Sequence, residues 1–392
     1  MSTAPPLKLV VLGMMGRVPF AGQTWLYLGW LRGLAALGHE VYYVEDDTVW
    51  PYDPEANAVT DDCGYAVRHI ARSMEAIGLA DRWAFRLAGR DGACWGMSHA
   101  AIADLYRSCD ALLNIVGATD LREEHMLAPL RVYVETDPVT AELRLAAGDA
   151  HTAEAFENHH VLATYGENYG APDCGVPLNG LDYVFTRQPV DTGLWTAQYS
   201  PQATNFTTIG NYRQEGGDVE FGGSVYRWSK HHEWERFIGL PELTGQQFEL
   251  AAGQMTAEDE QRLRQAGWRL TSPLEMSLDA FGAYRDYIGA SRGEFTVAKD
   301  QNVRLRSGWF SERAVCYLAR GKPVVTQDTG FSSVLPVGKG LFAVSDAEQA
   351  AAAVAEINAD YRAHCEAARA IAVEHFEASA VAGRLLQAVG LT

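Results

Sequence analysis

Residues 294 to 330, EFTVAKDQNVRLRSGWFSERAVCYLARGKPVVTQDTG, constrain the fold more than any other stretch. They read as a strand, a small-residue and cationic turn, a helix, a tight Gly turn, and a second strand ending in a polar loop. Such a unit implies a parallel crossover, because the connecting helix carries the chain back to the end of the sheet where the first strand began. It also sets a helix N-terminus, with free N–H groups and the positive end of its dipole, beside Lys299, Arg304, Arg306 and Arg313. That combination suits a diphosphate.

The first forty-five residues repeat the pattern. Lys8 to Met14 reads as a buried strand, Gly16 to Gly22 as a turn, and Thr24 to Leu37 as an apolar helix stopped at Gly38-His39. Glu40 to Glu45 is the second strand. Helical patterns follow over Ala66–Arg86 and Ser98–Ser108, with strands at Ala111–Val116, Arg131–Glu135, His159–Tyr165 and Asp182–Phe185. This alternation predicts a parallel sheet with helices on both faces. The polar run from Pro189 to Thr204 reads as a linker, after which a second α/β series begins at Phe206. The organisation expected is therefore residues 1–188 as a first Rossmann-like domain, 189–204 as linker, and 205–375 as a second Rossmann-like domain. A long helical pattern from Tyr361 to Val389 closes the chain, with 376–392 returning to the first domain.

Composition limits the partners. A formal net charge of −18 argues against nucleic acid, whose phosphates demand a basic face. No segment reads as a membrane span or signal peptide, so a cytoplasmic protein is expected. The six cysteines form no CxxC pair, and His159-His160 and His231-His232 lack metal-binding spacing, so neither zinc nor a disulfide framework is expected. Oligomeric state is not written in the sequence.

The candidate diphosphate set is Lys299, Ser307, Gly308, Trp309, Phe310, Ser311 and Arg313. Ser307 or Ser311 is the candidate N-cap, and Gly308 allows close backbone approach. Asp328, Thr329 and Gly330, beyond the next strand, are candidates for donor-sugar or ribose hydroxyls, or simply a polar turn. In the first domain Gly16, Gly22, Gln23 and Thr24 form a candidate phosphate or acceptor loop. Asp137 and Glu135 are candidates for a general base. Asp137 is preferred because it lies beyond its strand, although it could equally cap a helix ahead of Pro138. Asp46, Asp47 and Glu167 are weaker candidates.

The stretch Ser311-Glu-Arg-Ala-Val-Cys-Tyr-Leu-Ala-Arg-Gly321-Lys-Pro-Val-Val, with Gly330 after it, resembles the C-terminal block of GT-B glycosyltransferases. Segments Trp50–Pro54, Thr136–Pro138, Thr186–Pro189 and Arg306–Ala319 resemble those of bacterial members. The resemblance implies two facing Rossmann-like domains. It also implies hexosyl or deoxyhexosyl transfer from a nucleoside diphosphate sugar, with no metal or resident cofactor. Many retaining members carry two glutamates where this chain has Gly308 and Cys316, so their role would pass to Asp328 or Glu312, or the stereochemistry would differ. A nucleotide-sugar epimerase of the same fold and a non-catalytic binding subunit are the alternatives.

Overall fold

The computed structural model describes residues 5–88 and 92–391. Its first half is built on one eight-stranded sheet: β1 (Lys8–Leu12), β2 (Glu40–Asp47), β3 (Trp83–Leu87), β4 (Cys94–Gly96), β5 (Ala111–Ile115), β6 (Arg131–Glu135), β7 (Val161–Thr164) and β8 (Tyr183–Phe185). The spatial order is β8-β7-β6-β5-β1-β2-β3-β4, parallel throughout except for β4. The strands are apolar on both faces because helices cover both, so they read as continuous hydrophobic runs.

The second half carries a six-stranded parallel sheet: β9 (Asn205–Asn211), β12 (Gln247–Gly253), β13 (Arg269–Thr271), β14 (Gly293–Thr296), β15 (Val324–Gln327) and β16 (Leu341–Val344). Its order is β13-β12-β9-β14-β15-β16. A small hairpin, β10 (Val219–Phe221) with β11 (Ser224–Tyr226), stands apart from it. Strand order reverses beside β1 in one sheet and beside β9 in the other. Open α/β sheets bind ligands in the crevices at these reversals.

The helix α1 (Ala21–Ala36) fixes how the halves meet. Its Gly29 and Gly33 leave room for chain, since a Cβ would lie 2.1 Å from the Pro189 carbonyl oxygen and 2.3 Å from that of Ala378. The chain therefore passes between the halves twice over the same helix. The passes are joined by Val190 N–H to the Phe376 carbonyl at 2.8 Å and by Ala378 N–H to the Val190 carbonyl at 3.0 Å. The run read as a loose polar linker is anchored by Trp195, fully buried with its ring 4.8 Å from that of Trp25.

Two expectations give way. The helical pattern over Ala66–Arg86 divides into helix α2 (Gly64–Ala76) and strand β3, with Gly78 at φ +77° between them. The Ala-Phe-Arg-Leu run keeps an apolar periodicity compatible with either form, but the glycine cannot carry the helix forward at that angle. The closing pattern divides likewise into Tyr361–His375 and Ala378–Ala388. Phe376, fully buried against Phe310, pins the break.

Candidate functional site

The two reversal points face one another across a cavity of about 650 Å³. From the first sheet it is lined by Gln23 on α1, the loop after β5 (Val116, Gly117, Thr119), and Glu135 and Asp137 at the end of β6. From the second come Gln214, Trp228 and Lys299. Asn114 builds the first loop: its amide donates to the Thr119 carbonyl at 2.9 Å and accepts from Thr119 N–H at 3.2 Å. Val116, which lines the cavity, and Val139, next to the lining residue Thr140, are both β-branched and sit at φ 67° and 94°. Each such residue costs about 1–3 kcal/mol, so surrounding contacts must impose the shape.

Helix α10 (Glu312–Ala319) starts directly after the later of the two serines read as its N-cap. Ser311 occupies the N-cap without a side-chain bond, while Ser307 Oγ donates to Asn302 Oδ1 at 2.6 Å. The segment ahead of the helix is a contact between the halves. Gly308, at φ +85°, is needed because a Cβ would meet Asn168 N at 2.3 Å. Trp309 Nε1 donates to the Thr136 carbonyl at 3.0 Å, the Phe310 carbonyl accepts from Gln188, and Thr329 donates to the Trp309 carbonyl. Among the described residues, Phe310 and Ser311 N–H groups have no acceptor. The helix thus keeps unpaired donors at the positive end of its dipole.

The cations near this end are not all free. Arg313 is committed to the sheet: it bonds Glu294, the Ile209 carbonyl at 2.6 Å and Thr296 Oγ1 at 2.8 Å. Lys299 forms an ion pair with Asp137 across the halves and lies over the Trp228 ring. Burial lowers the Lys299 pKa while Asp137 opposes that. Arg304 turns outward to Asp300 and the Val225 carbonyl, and Arg306 bridges Asp173 and Asp328.

The cation that remains is Lys230, which sequence reasoning missed. It follows the β10–β11 hairpin, half-buried, with its ammonium 5.4 Å from the Trp309 ring centroid. Among the described residues it has no hydrogen bond or ion pair. Burial, then the charges of Arg313 and Lys299, hold its pKa down to about 7. Such a lysine gains strongly from an incoming anion, which restores its charge. Its only sequence signal was a lysine shortly after a Gly-rich stretch beyond a strand end, in a segment without periodicity. Glu312, in the first turn of α10, is pushed up to about 7 by burial, with Asp137 adding to the effect.

The other candidates fall into place around this. Asp328 accepts from Gly330 N–H at 2.9 Å and from Ser332 Oγ at 3.0 Å, so it organises its own turn. Gly330, at φ +97°, faces Asn168. Gly16 donates to Glu45 and packs on Ile70, Gly22 is exposed, and Thr24 Oγ1 lies 2.8 Å from His69 Nε2. Gln23 alone of that loop reaches the cavity. Asp137 caps no helix, because α4 (Thr140–Ala146) begins after Val139; its Oδ1 is buried without a protein donor. Glu135 is 3% exposed, accepts from Thr164 at 2.7 Å through Oε2, and leaves Oε1 unpartnered. Burial and then the charge of Glu142 raise its pKa well above the ordinary carboxyl value.

Asp47 pairs with Arg17 and Glu167 with Arg187. Asp46, Glu124 and His125 gather closely enough to hold a metal ion, but Arg86 and Arg122 both bond Asp46. Two guanidinium groups on that carboxylate oppose a further cation. All six cysteines are unpaired thiols, and no helix among the described residues is long and apolar enough to cross a membrane.

No family model matches the chain, and no curated protein matches it in sequence. Solved structures do. The fold is similar to that of AviGT4, a glycosyltransferase involved in avilamycin A biosynthesis, at 14% identity and TM-score 0.54, covering 97% of this chain and 96% of that one. It is also similar to Anabaena HepE, crystallised with UDP and glucose, at 13% identity and TM-score 0.58, covering 98% and 100%. At such identities the likeness speaks to fold, and the fold is that of the GT-B glycosyltransferases: two Rossmann-like halves facing across a cleft.

Proposed function

We propose that the protein transfers a glycosyl group from a nucleoside diphosphate sugar to an acceptor hydroxyl. The observation that carries this is Lys230, a cation with no ion pair among the described residues, set against the ring of Trp309, the residue directly ahead of the unpaired Phe310 and Ser311 N–H groups at the start of α10. A diphosphate leaving group supplies the charge this corner lacks, and charge developing there in the transition state meets donors already oriented. HepE, solved with UDP-glucose, makes the same donor class reasonable for this fold. In this reading Lys230 and the helix end take the leaving diphosphate, with no metal or resident cofactor assigned that task. Arg313 and Glu294 hold the helix start to the sheet. Asp137, which lines the cavity and pairs with Lys299, receives the acceptor proton.

Thermal shift with a panel of nucleoside diphosphates tests the donor half. Stabilisation by at least one of them is expected, and stabilisation by none would remove the reading. Release of nucleoside diphosphate that requires an added acceptor separates transfer from epimerisation, which needs none.

A further inference from the structure

The pair His231-His232, which lacks the spacing of a metal site, has another use. With its neighbours it ties down the residues Arg227 to Lys230, which lead from the β10–β11 hairpin to the corner ahead of α10. Arg227 N–H donates to Asp300 Oδ2 at 2.9 Å, and Arg227 Nη1 donates to His232 Nε2 at 3.1 Å. Trp228 N–H donates to Asp218 Oδ1 at 2.8 Å and closes the hairpin stem; its indole lies against Gly217, where a Cβ would meet the ring at 2.3 Å. Ser229 is 5% exposed, and its Oγ accepts from Gln214 N–H at 3.0 Å and donates to His231 Nδ1 at 2.6 Å. Burial, then the charge of His232, holds the His231 pKa down to about 4, so at neutral pH the ring is uncharged and offers a lone pair.

Lys230 needs such anchoring. Its side chain is long and flexible, its ammonium prefers water, and among the described residues no carboxylate holds it beside Trp309. Arg313 and Lys299 oppose its charge there. On a loose backbone it would turn outward, as Arg304 does. What keeps it in place is therefore the chain that carries it. On one side the Lys230 carbonyl accepts from the Glu233 and Trp234 N–H groups at 2.9 and 3.1 Å. On the other side the nearest anchor is the Ser229 hydroxyl, one residue away, which also joins the two ends of the hairpin through Gln214.

We infer that Ser229 and His231 are positioning residues for Lys230: the bond between them fixes the peptide from which the ammonium reaches the corner ahead of α10. The inference rests on the transferase reading for taking that corner as the diphosphate site. Both side chains act through Lys230 rather than on the ligand. They set its backbone on folding, so that less ordering is left to oppose binding.

The test is a double-mutant cycle on the full chain, read by titration with whichever of uridine, thymidine, guanosine and adenosine diphosphate binds the wild type most tightly. Ser229→Ala should weaken binding on the order of tenfold. In the Lys230→Met background the same change should cost less than about twofold, because no charge is left to place. A serine that served the fold alone would cost the same in both backgrounds. His231→Phe keeps the ring, loses the acceptor, and should weaken binding as Ser229→Ala does. His231→Asn, whose Oδ1 can stand in for Nδ1, should stay within about threefold of the wild type. This second pair repeats the comparison without touching the buried hydroxyl. Equal losses in the two backgrounds, no loss in Ser229→Ala, or His231→Asn as weak as His231→Phe overturns the assignment and leaves the transferase standing. A wild type that binds none of these diphosphates sinks the two together.

Discussion

Replacing Lys230 by methionine, which keeps the length of the side chain and removes its charge, should stabilise the empty protein and weaken donor binding together. The ammonium is held at about 7 against an ordinary 10.5. Converted at about 1.4 kcal/mol per pH unit, that amounts to on the order of 5 kcal/mol for keeping the group charged in the empty site. The side chain is half-buried and retains part of its hydration, so we discount the figure to roughly 2 kcal/mol. The sign follows from proton occupancy. The unfolded chain keeps this proton up to about pH 10.5 and the folded chain only to about 7. The penalty is therefore full below about pH 7, shrinks as pH rises, and is gone above about pH 10.5. Lys230→Met should then raise the melting temperature by roughly 2–3 °C near pH 6 and by nothing near pH 10.5. A lost cation–diphosphate contact costs about 2–4 kcal/mol, or roughly 30- to 1,000-fold in UDP affinity. Differential scanning fluorimetry across pH, with and without UDP, reads both effects. A variant that melts below the wild type near pH 6, or gains as much from UDP, refutes the reasoning.

Three further perturbations follow from the geometry. Gly308→Ala places a methyl group 2.3 Å from Asn168 N at a positive φ. It should cost about 3 kcal/mol or more and loosen the contact between the halves, seen as a lower melting temperature and a larger radius in solution scattering. Arg313→Ala strands fully buried Glu294 and should destabilise by about 3–5 kcal/mol; adding Glu294→Gln should recover part of the loss in denaturant unfolding. Glu135, whose folded pKa is raised, contributes less stability as pH climbs through and beyond the ordinary carboxyl range. Glu135→Gln should gain on the wild type at alkaline pH and show no gain in acid, as thermal melts over pH will tell.

The two-sheet plan was readable because its signals are local. The Gly38-His39 stop, the apolar strand runs and the Gly321-Lys-Pro turn each act within a few residues, and the observed elements follow them closely. The charge map was less readable, because ion pairing is decided between segments far apart in the chain. Asp137 and Lys299 are separated by 162 residues, and Arg313 reaches back 104 residues to the Ile209 carbonyl. Spacing identified these as charged groups beside the cleft, but only the folded arrangement shows which charges neutralise each other. Lys230 stayed unnoticed for the converse reason: the hairpin before it has no counterpart in the regular β-α alternation that made its neighbours legible.

The paired passes over Gly29 and Gly33 have a mechanical meaning. Two covalent ties lying side by side and stitched together act as one narrow hinge, so the lobes cannot slide or separate at that edge. Whatever widening admits a donor must be a swing about this seam, greatest at the far rim, where the β10–β11 hairpin reaches toward the opposite lobe. A bulky residue at either glycine would prise the seam apart and trade one defined swing for many.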